Sequence, residues 1–444
     1  MLSPLRSRTY RHLFAAQVIA LLGTGLATVA LGLVAFQLAG ADAGAVLGTA
    51  LAIKMVAYVG VAPVAGAFAN QFPRRAMLVA LDLMRAAVAI CLPFVDAIWQ
   101  VYVLIFVLQA ASAAFTPTFQ ATIPDVLPDE AEYTRALSLS QLAYNLENLV
   151  SPALAAALLT VISFHWLFAG TALGFLASAA LVVSVLLPSP KPAAPRGVYE
   201  RTTRSVRLYL ATPRLRGLLA LNLAVAAGGA MVIVNTVVLV QARLGLGQRE
   251  TAWALAAFGT GSMTAALALP GLLDRLPDRR VMLAGAGVLV AGLLAGLGAL
   301  ASDRLGFAAL LPLWLVLGLG YSAVGTPTGR LLRRSAHPED RPALFAAQFA
   351  LSHACWLLTY PLAGWLGARA GLPAAFAALA GVAALAALLA TRLWPSHDPD
   401  AVLHVHADLT TGHPHLAGAE PVAGGFRHVH AFVLDAEHRS WPKA

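Results

Sequence analysis

Charge is what this sequence has least of. Only 11% of its 444 residues are Asp, Glu, Lys or Arg, while 59% are hydrophobic and the mean hydropathy is +0.75. Soluble domains carry about 25% charged residues, so a chain this apolar has too little polar surface to stay in water. Cysteine is nearly absent. Cys91 and Cys355 each fall inside an apolar run and read as small core hydrophobes, which excludes a disulfide framework or a cysteine metal centre. No G-x-x-x-x-G-K-[ST] loop is present, so ATP is not expected to be the driver, and an enzyme is not expected. A cleavable leader is not expected either: the first apolar run, about Leu13 to Leu38, is too long and lacks a small-residue cleavage site.

What is present is a series of apolar runs, each about 20 residues or more, the length that crosses a hydrocarbon core of roughly 30 Å. They fall at 12–39, 45–69, 76–95, 99–120, 136–162, 166–187, 216–241, 250–273, 281–301, 307–329, 343–367 and 373–393. Lipid offers the backbone no hydrogen-bond partner, so runs apolar on all sides must be helices. The formal net charge of +9 does not point to nucleic acid, because the basic residues sit in short clusters between these runs. With the N-terminus inside, twenty Lys and Arg fall in inner segments and only Arg243, Arg249, Arg304 and Arg369 in outer loops. This bias places both termini in the cytoplasm of a bacterial inner membrane protein. The partners expected are the bilayer, a small-molecule substrate and a proton as coupling ion, with the chain a monomer.

The longest internal polar stretch, 188–215, begins Pro188-Ser189-Pro190-Lys191-Pro192 and continues with arginines. It reads as a stiff linker between six spans and six. The expected division is residues 1–187, an N-terminal six-helix bundle; 188–215, the linker; 216–394, a C-terminal six-helix bundle; and 395–444, a tail. After the second span, Gly66, Arg74 and Arg75 stand where a G-x-x-x-D-R-x-G-R-R loop has its glycine and final arginines. The matching loop of the second half reads Asp274-Arg275-Leu276-Pro277-Asp278-Arg279-Arg280 and keeps the D-R pair that the first copy lacks. Two linked six-span halves with these loops resemble the major facilitator superfamily. The resemblance implies an all-α membrane protein of twelve transmembrane helices in two bundles, moving substrate at their interface by alternating access. It also implies that Gly66, Arg74, Arg75, Asp274, Arg275, Arg279 and Arg280 belong to gating loops. Around the fifth span, Ile123-Pro124-Asp125-Val126-Leu127-Pro128, Ala136-Leu137-Ser138-Leu139, Asn145 and Ser151-Pro152-Ala153-Leu154 are similar to the subfamily that includes the enterobactin exporter.

Ionisable residues deep in a span are costly and mark function. Lys54 and Glu147 lie mid-span in the second and fifth runs. They are read either as a structural ion pair or as a proton carrier, Glu147, tuned by Lys54. His353 in the eleventh run, able to titrate near neutral pH, and the amide of Asn145 are further candidates for transport and proton coupling. Asp82 and Arg85, three apart on the third run, read as a structural pair against the basic loop. The inferred cavity is apolar, which fits a hydrophobic or amphipathic substrate and the reading of a proton-coupled exporter.

The tail does not belong to this pattern. It holds eight of the twelve histidines, with H-x-H spacing at His404/His406, His413/His415 and His428/His430. Residues 401–406 and 426–433 read as strands, on which i and i+2 share a face. Paired, they present several imidazoles together, the donor set for nickel, zinc or cobalt. No cofactor is expected beyond a divalent metal at these six histidines. Histidine-rich tails on nickel-resistance exporters of the superfamily make divalent metal efflux the alternative reading.

Overall fold

In a computed structural model the described residues are 2–39, 43–68, 71–188, 198–398 and, in the tail, 401–406, 409, 413–416, 418–435, 438 and 441. Each expected run falls on one long helix. The first half holds α1 (Arg8–Ala39), α2 (Ala43–Phe68), α3 (Arg74–Cys91), α4 (Ile98–Val126), α5 (Glu130–Leu159) and α6 (His165–Val183). A helix the sequence reading did not anticipate, α7 (Val198–Ala211), lies in the expected linker. The second half holds α8 (Pro213–Val237), extended by a π turn to Arg243, then α9 (Gln248–Leu273), α10 (Asp278–Ala301) and α11 (Phe307–Gly325). The short α12 (Thr328–Arg334), α13 (Arg341–Arg369) and α14 (Leu372–Leu393) complete it. Among the described residues, ten helices are long and apolar enough to cross a membrane, and α2 contributes a shorter apolar stretch, Ala52–Ala67.

Within the first half α1 packs on α5 and α6, and α4 on α2 and α3; within the second, α8 packs on α13 and α14, and α11 on α9 and α10. The halves meet along α2 with α13, α4 with α13, and α5 with α9. The outer surface carries exposed Leu173, Leu294, Leu358 and Leu388, as a lipid-facing surface requires. Exposed Trp99, Trp166, Trp253 and Trp365 all lie at the helix ends opposite the arginine clusters. Indole rings collect at such levels because one edge is apolar and the other polar.

Lipid is as apolar as leucine, so helices here associate by close packing. The tightest contact joins α9 and α11. A Cβ at Gly318 would lie 2.0 Å from the Phe258 carbonyl oxygen, and one at Gly261 would lie 1.9 Å from that of Leu315. These are backbone atoms that cannot step aside. Gly318→Ala is therefore expected to lower the thermal midpoint of the detergent-solubilised protein, with an overpacking cost of about 1–3 kcal/mol. An unchanged midpoint would contradict the contact.

The tail forms a three-stranded antiparallel sheet, β1 (Ala401–His406), β2 (Glu420–Val422) and β3 (Gly425–Ala431), in the order β1-β3-β2. It sits on the arginine-rich end of the second half. Asp398 accepts from Arg214 at 3.0 Å and from the Trp394 indole at 3.0 Å, and Arg214 lies over the Trp441 ring.

Candidate functional site

The arginine-rich ends of the two halves are tied by two ionic clusters. In both halves a proline stops the chain before a helix, and the residue after it is a buried charge. Pro73 precedes Arg74, which is fully buried at the start of α3. A cation at a helix N-terminus opposes the helix dipole, so Arg74 needs an anion, and Asp125 at the end of α4 provides it. The other oxygen of Asp125 accepts from Arg341 at the start of α13, in the second half. Gly66 meets the same helix: a Cβ there would lie 2.4 Å from the Ala346 Cβ.

The second half mirrors this with the charges reversed. Pro277 precedes Asp278, buried at the start of α10, where an acid suits the dipole. Arg330 of α12 reaches Asp278 at 3.1 Å and crosses to the first half, to Glu130 at 2.8 Å and the Thr134 hydroxyl at 2.8 Å. Arg334 adds a longer contact to Asp278 at 3.5 Å. Arg333 donates to the Pro128 carbonyl, again across the halves. Asp125, Asp278, Arg330 and Arg341 were not among the expected gating residues. Of those that were, Arg74 sits in the network and Gly66 beside it. Arg279 instead donates to the Thr391 and Trp394 carbonyls, capping the C-terminal end of α14. Asp274, Arg275 and Arg280 lie exposed, and Arg75 is partly exposed.

Mid-membrane, Glu147 of α5 and Lys54 of α2 are both partly buried and do not form a direct salt bridge. Lys54 Nζ lies 5.5 Å from the centre of the Tyr58 ring, and it acts electrostatically on both Glu147 and His353. His353 of α13 packs its ring edge-on against Tyr58, 4.7 Å between centres, and shares a hydrogen bond between Nδ1 and the Phe349 carbonyl at 2.7 Å. Lys54, Tyr58 and His353 thus form one chain of contacts from the first half to the second, with Glu147 in electrostatic reach. Tyr58 was not anticipated, because a tyrosine in an apolar run reads as packing. The side chains of Asn145 and Asn148 lie outside the described residues. Asp82 and Arg85 do not pack on the basic loop. They pair with each other inside the bundle, where Ser178 of α6 donates to Asp82 and Arg85 lies over the Phe115 and Phe175 rings.

In the tail the strand register sets His404 opposite His428, with His406 and His430 one pleat away. His415 joins from a 3-10 turn. One ring nitrogen from each of these five lies within 4.8 Å of all the others. His438 joins them, its Nε2 3.0 Å from that of His404. His413 stays at the margin: its Nδ1 accepts from the His415 backbone, 3.2 Å away. Burial and then the neighbouring imidazoles push His428 down to about 4. Burial likewise holds His404 and His438 below the usual histidine range, despite the opposing hydrogen bonds to Val402 and Asp435. Neutral imidazole is the form that ligates metals.

Comparison with known proteins places this architecture. The chain is 31% identical over 172 residues, 38% of this chain and 40% of the relative, to an uncharacterized MFS-type transporter, YfiS, of Bacillus subtilis. It is 27% identical over 152 residues, 32% of this chain and 37% of the relative, to macrolide efflux protein A of Streptococcus pyogenes. These matches thus span less than half of either relative's length. The fold is shared with the human organic anion transporter MFSD10, at a TM-score of 0.72 and 13% identity, over 86% of this chain and 99% of that one. The sequence profile described as Major Facilitator Superfamily matches residues 13–247 and again 218–430. With twelve long helices among the described residues in two bundles, mirrored ionic clusters between them and a profile match over most of its length, the chain belongs to the Major Facilitator Superfamily.

Proposed function

We propose that the chain is a proton-coupled exporter of a hydrophobic or amphipathic small molecule, working by alternating access in a bacterial inner membrane with both termini cytoplasmic. The observation that carries this reading is the mid-membrane pair. Glu147 and Lys54 lie in electrostatic reach but are not bonded to each other, so the carboxylate is available to exchange a proton. Protonation changes the site's charge by one unit in a medium where charge is expensive, which biases the protein between its two states. Gating falls to the two ionic clusters, which would hold the cytoplasmic end closed. The substrate class draws support from the scarcity of charge in the apolar runs and from relatives named for macrolide efflux. Export as the direction draws further support from the fifth-span likeness to the enterobactin-exporter-like subfamily.

The test is expression in a bacterial strain stripped of its own efflux pumps, screened against metals, dyes, antibiotics and siderophores. Raised tolerance to amphipathic organic compounds, abolished by a protonophore, is expected. The alternative, export of nickel, cobalt or zinc, is favoured by the imidazole cluster. Against it, the grouped metal-binding residues found among the described residues lie in the tail rather than in the spans. Tolerance raised to these metals alone, and lost on deleting residues 396–444, would establish the alternative instead.

A further inference from the structure

The tail histidines are not explained by transport of an organic molecule, and their hydrogen bonds say more than their proximity does. His404 Nδ1 lies 2.9 Å from the Val402 carbonyl oxygen. A carbonyl only accepts, so Nδ1 carries the proton and the neutral ring's Nε2 is a lone pair. His438 Nδ1 lies 2.9 Å from a carboxylate oxygen of Asp435, and the same reasoning leaves its Nε2 a lone pair. Yet these two Nε2 atoms face each other at 3.0 Å, and His406 Nε2 lies 3.1 Å from that of His404. Neutral rings in these tautomers have no proton to share between His404 and His438, so the contact is repulsive unless a cation lies among the nitrogens. The spacing suits a divalent ion: ligand nitrogens about 2.0–2.1 Å from a metal stand about 3.0–3.4 Å from one another. His428 Nε2, buried among them, has no hydrogen-bond partner among the described residues.

The surroundings are those of a metal centre. A histidine ligand typically donates its second nitrogen to a carboxylate or a carbonyl, which fixes the ring. Asp435 does this for His438, and Val402 for His404. Phe432 closes one side, its ring 5.1 Å from that of His404 and 4.6 Å from that of His438. Asp435 also leads out of the site. Its second oxygen lies 3.1 Å from His337 Nε2. His337 sits in the short loop between α12, which carries Arg330, and α13, which begins at Arg341.

We infer that the tail binds one divalent transition ion of the zinc, nickel or cobalt class through this imidazole cluster, and that Asp435 transmits occupancy to the His337 loop between the two gating clusters. A filled site fixes His438, His438 fixes Asp435, and Asp435 holds the loop. The ion therefore favours the arrangement in which the two halves are tied at this end. The binding step stands on the tail alone, whereas its effect on gating rests on the transport reading.

The experiment uses the full chain, purified in detergent without a histidine tag, stripped with EDTA and desalted. Zn²⁺, Ni²⁺ and Co²⁺ are titrated separately by calorimetry, with visible absorption followed for Co²⁺. One ion per chain is expected, with ligand-field bands for Co²⁺. His404→Ala combined with His428→Ala should lose binding at least 100-fold, and Asp435→Asn should weaken it about 10- to 100-fold. Matching elution profiles and thermal midpoints for the metal-free variants exclude misfolding as the cause. Absence of stoichiometric binding of all three ions to the parent chain overturns the site. Hydrogen exchange then tests the coupling without any transport assay. Saturating Zn²⁺ should protect residues 335–341 as well as the tail strands in the parent chain, and the strands alone in Asp435→Asn. Equal protection of the loop in both proteins, or no protection in either, overturns the coupling and leaves the transport reading untouched.

Discussion

Glu147→Gln is expected to abolish uphill, proton-driven efflux while leaving insertion, and exchange of substrate down its own gradient, in place. Gln keeps the shape of the side chain and its capacity for hydrogen bonds, and removes only the ability to ionise. If Glu147 carries the proton, one proton exchanged per substrate lets a gradient of one pH unit, worth about 1.4 kcal/mol, sustain roughly a tenfold concentration ratio of an uncharged substrate. In the variant that ratio should collapse to about one, at any gradient. The measurement is uptake of a fluorescent substrate into inverted vesicles or proteoliposomes with an imposed pH difference, alongside counterflow with no gradient. Retained uphill transport at the parent rate would remove Glu147 from the mechanism. Loss of counterflow as well would show that the residue is needed for substrate binding or folding rather than for coupling. Lys54 makes the result sharper. With Glu147 neutralised, Lys54 stands as the remaining charge of the pair mid-membrane, a state the parent protein visits only when protonated. The variant is thus held electrostatically near one half of the cycle.

Much of this arrangement was legible before any coordinates. Predominantly apolar runs can only be helices in lipid, so the twelve runs fall on twelve long helices among the described residues, with ends within about six residues of those expected. The exception is instructive. Residues 198–211 were read as linker because of the proline run before them and the arginines among them. Arg207 is exposed while Ser205 and Tyr209, four residues apart, turn inward and are buried, a helical rhythm that the charge count conceals. The ionic clusters between the halves lie beside the loops singled out in the sequence, but most of their members were not among the residues named there. The D-R pair at Asp274-Arg275 matched a motif and drew attention from Asp278, four residues on. Alignment on the prolines would have found it, because Pro73-Arg74 and Pro277-Asp278 occupy equivalent positions at the start of a helix in each half. No local pattern marks Asp125, Arg330 or Arg341 as partners, since their meeting depends on how the halves dock. In the tail, H-x-H spacing on strands brought His404, His406, His428 and His430 together as the pleat requires. His438 is an isolated histidine in the sequence, and only the fold brings it there.

Asp125→Asn is expected to have the largest effect on conformation. Asp125 compensates two arginines from different halves, Arg74 and Arg341, and Arg74 is fully buried. Removing one partner of a buried ion pair costs about 3–5 kcal/mol, because a charge remains desolvated without its counterion. Here the cost falls chiefly on the tied state, where Arg74 and Arg341 are brought together. When the halves separate at this end, water reaches both guanidinium groups. A shift of that size corresponds to a change of more than a hundredfold in the equilibrium between tied and separated states. The mirrored cluster does not offset it. Its cross-half partner Glu130 is 51% exposed, and exposed pairs are worth about 0–1 kcal/mol. Arg330→Ala should therefore shift the same equilibrium less than Asp125→Asn, provided Asp278 keeps its contact with Arg334. The readout is the reactivity of single cysteines introduced on α4 and α13 near the arginine-rich end, with native Cys91 and Cys355 replaced. Labelling there should rise steeply in Asp125→Asn, and transport should fall because the protein lingers in one state. Unchanged labelling would mean that the two halves are held by packing along α2 and α13, and that the buried charges only stabilise each helix end. Restoring the acid in a different place separates these cases. Arg341→Asp in the Asp125→Asn background returns a carboxylate to the interface within the charge field of Arg74. Recovery of low reactivity in that double variant would show that the latch is electrostatic rather than a matter of shape.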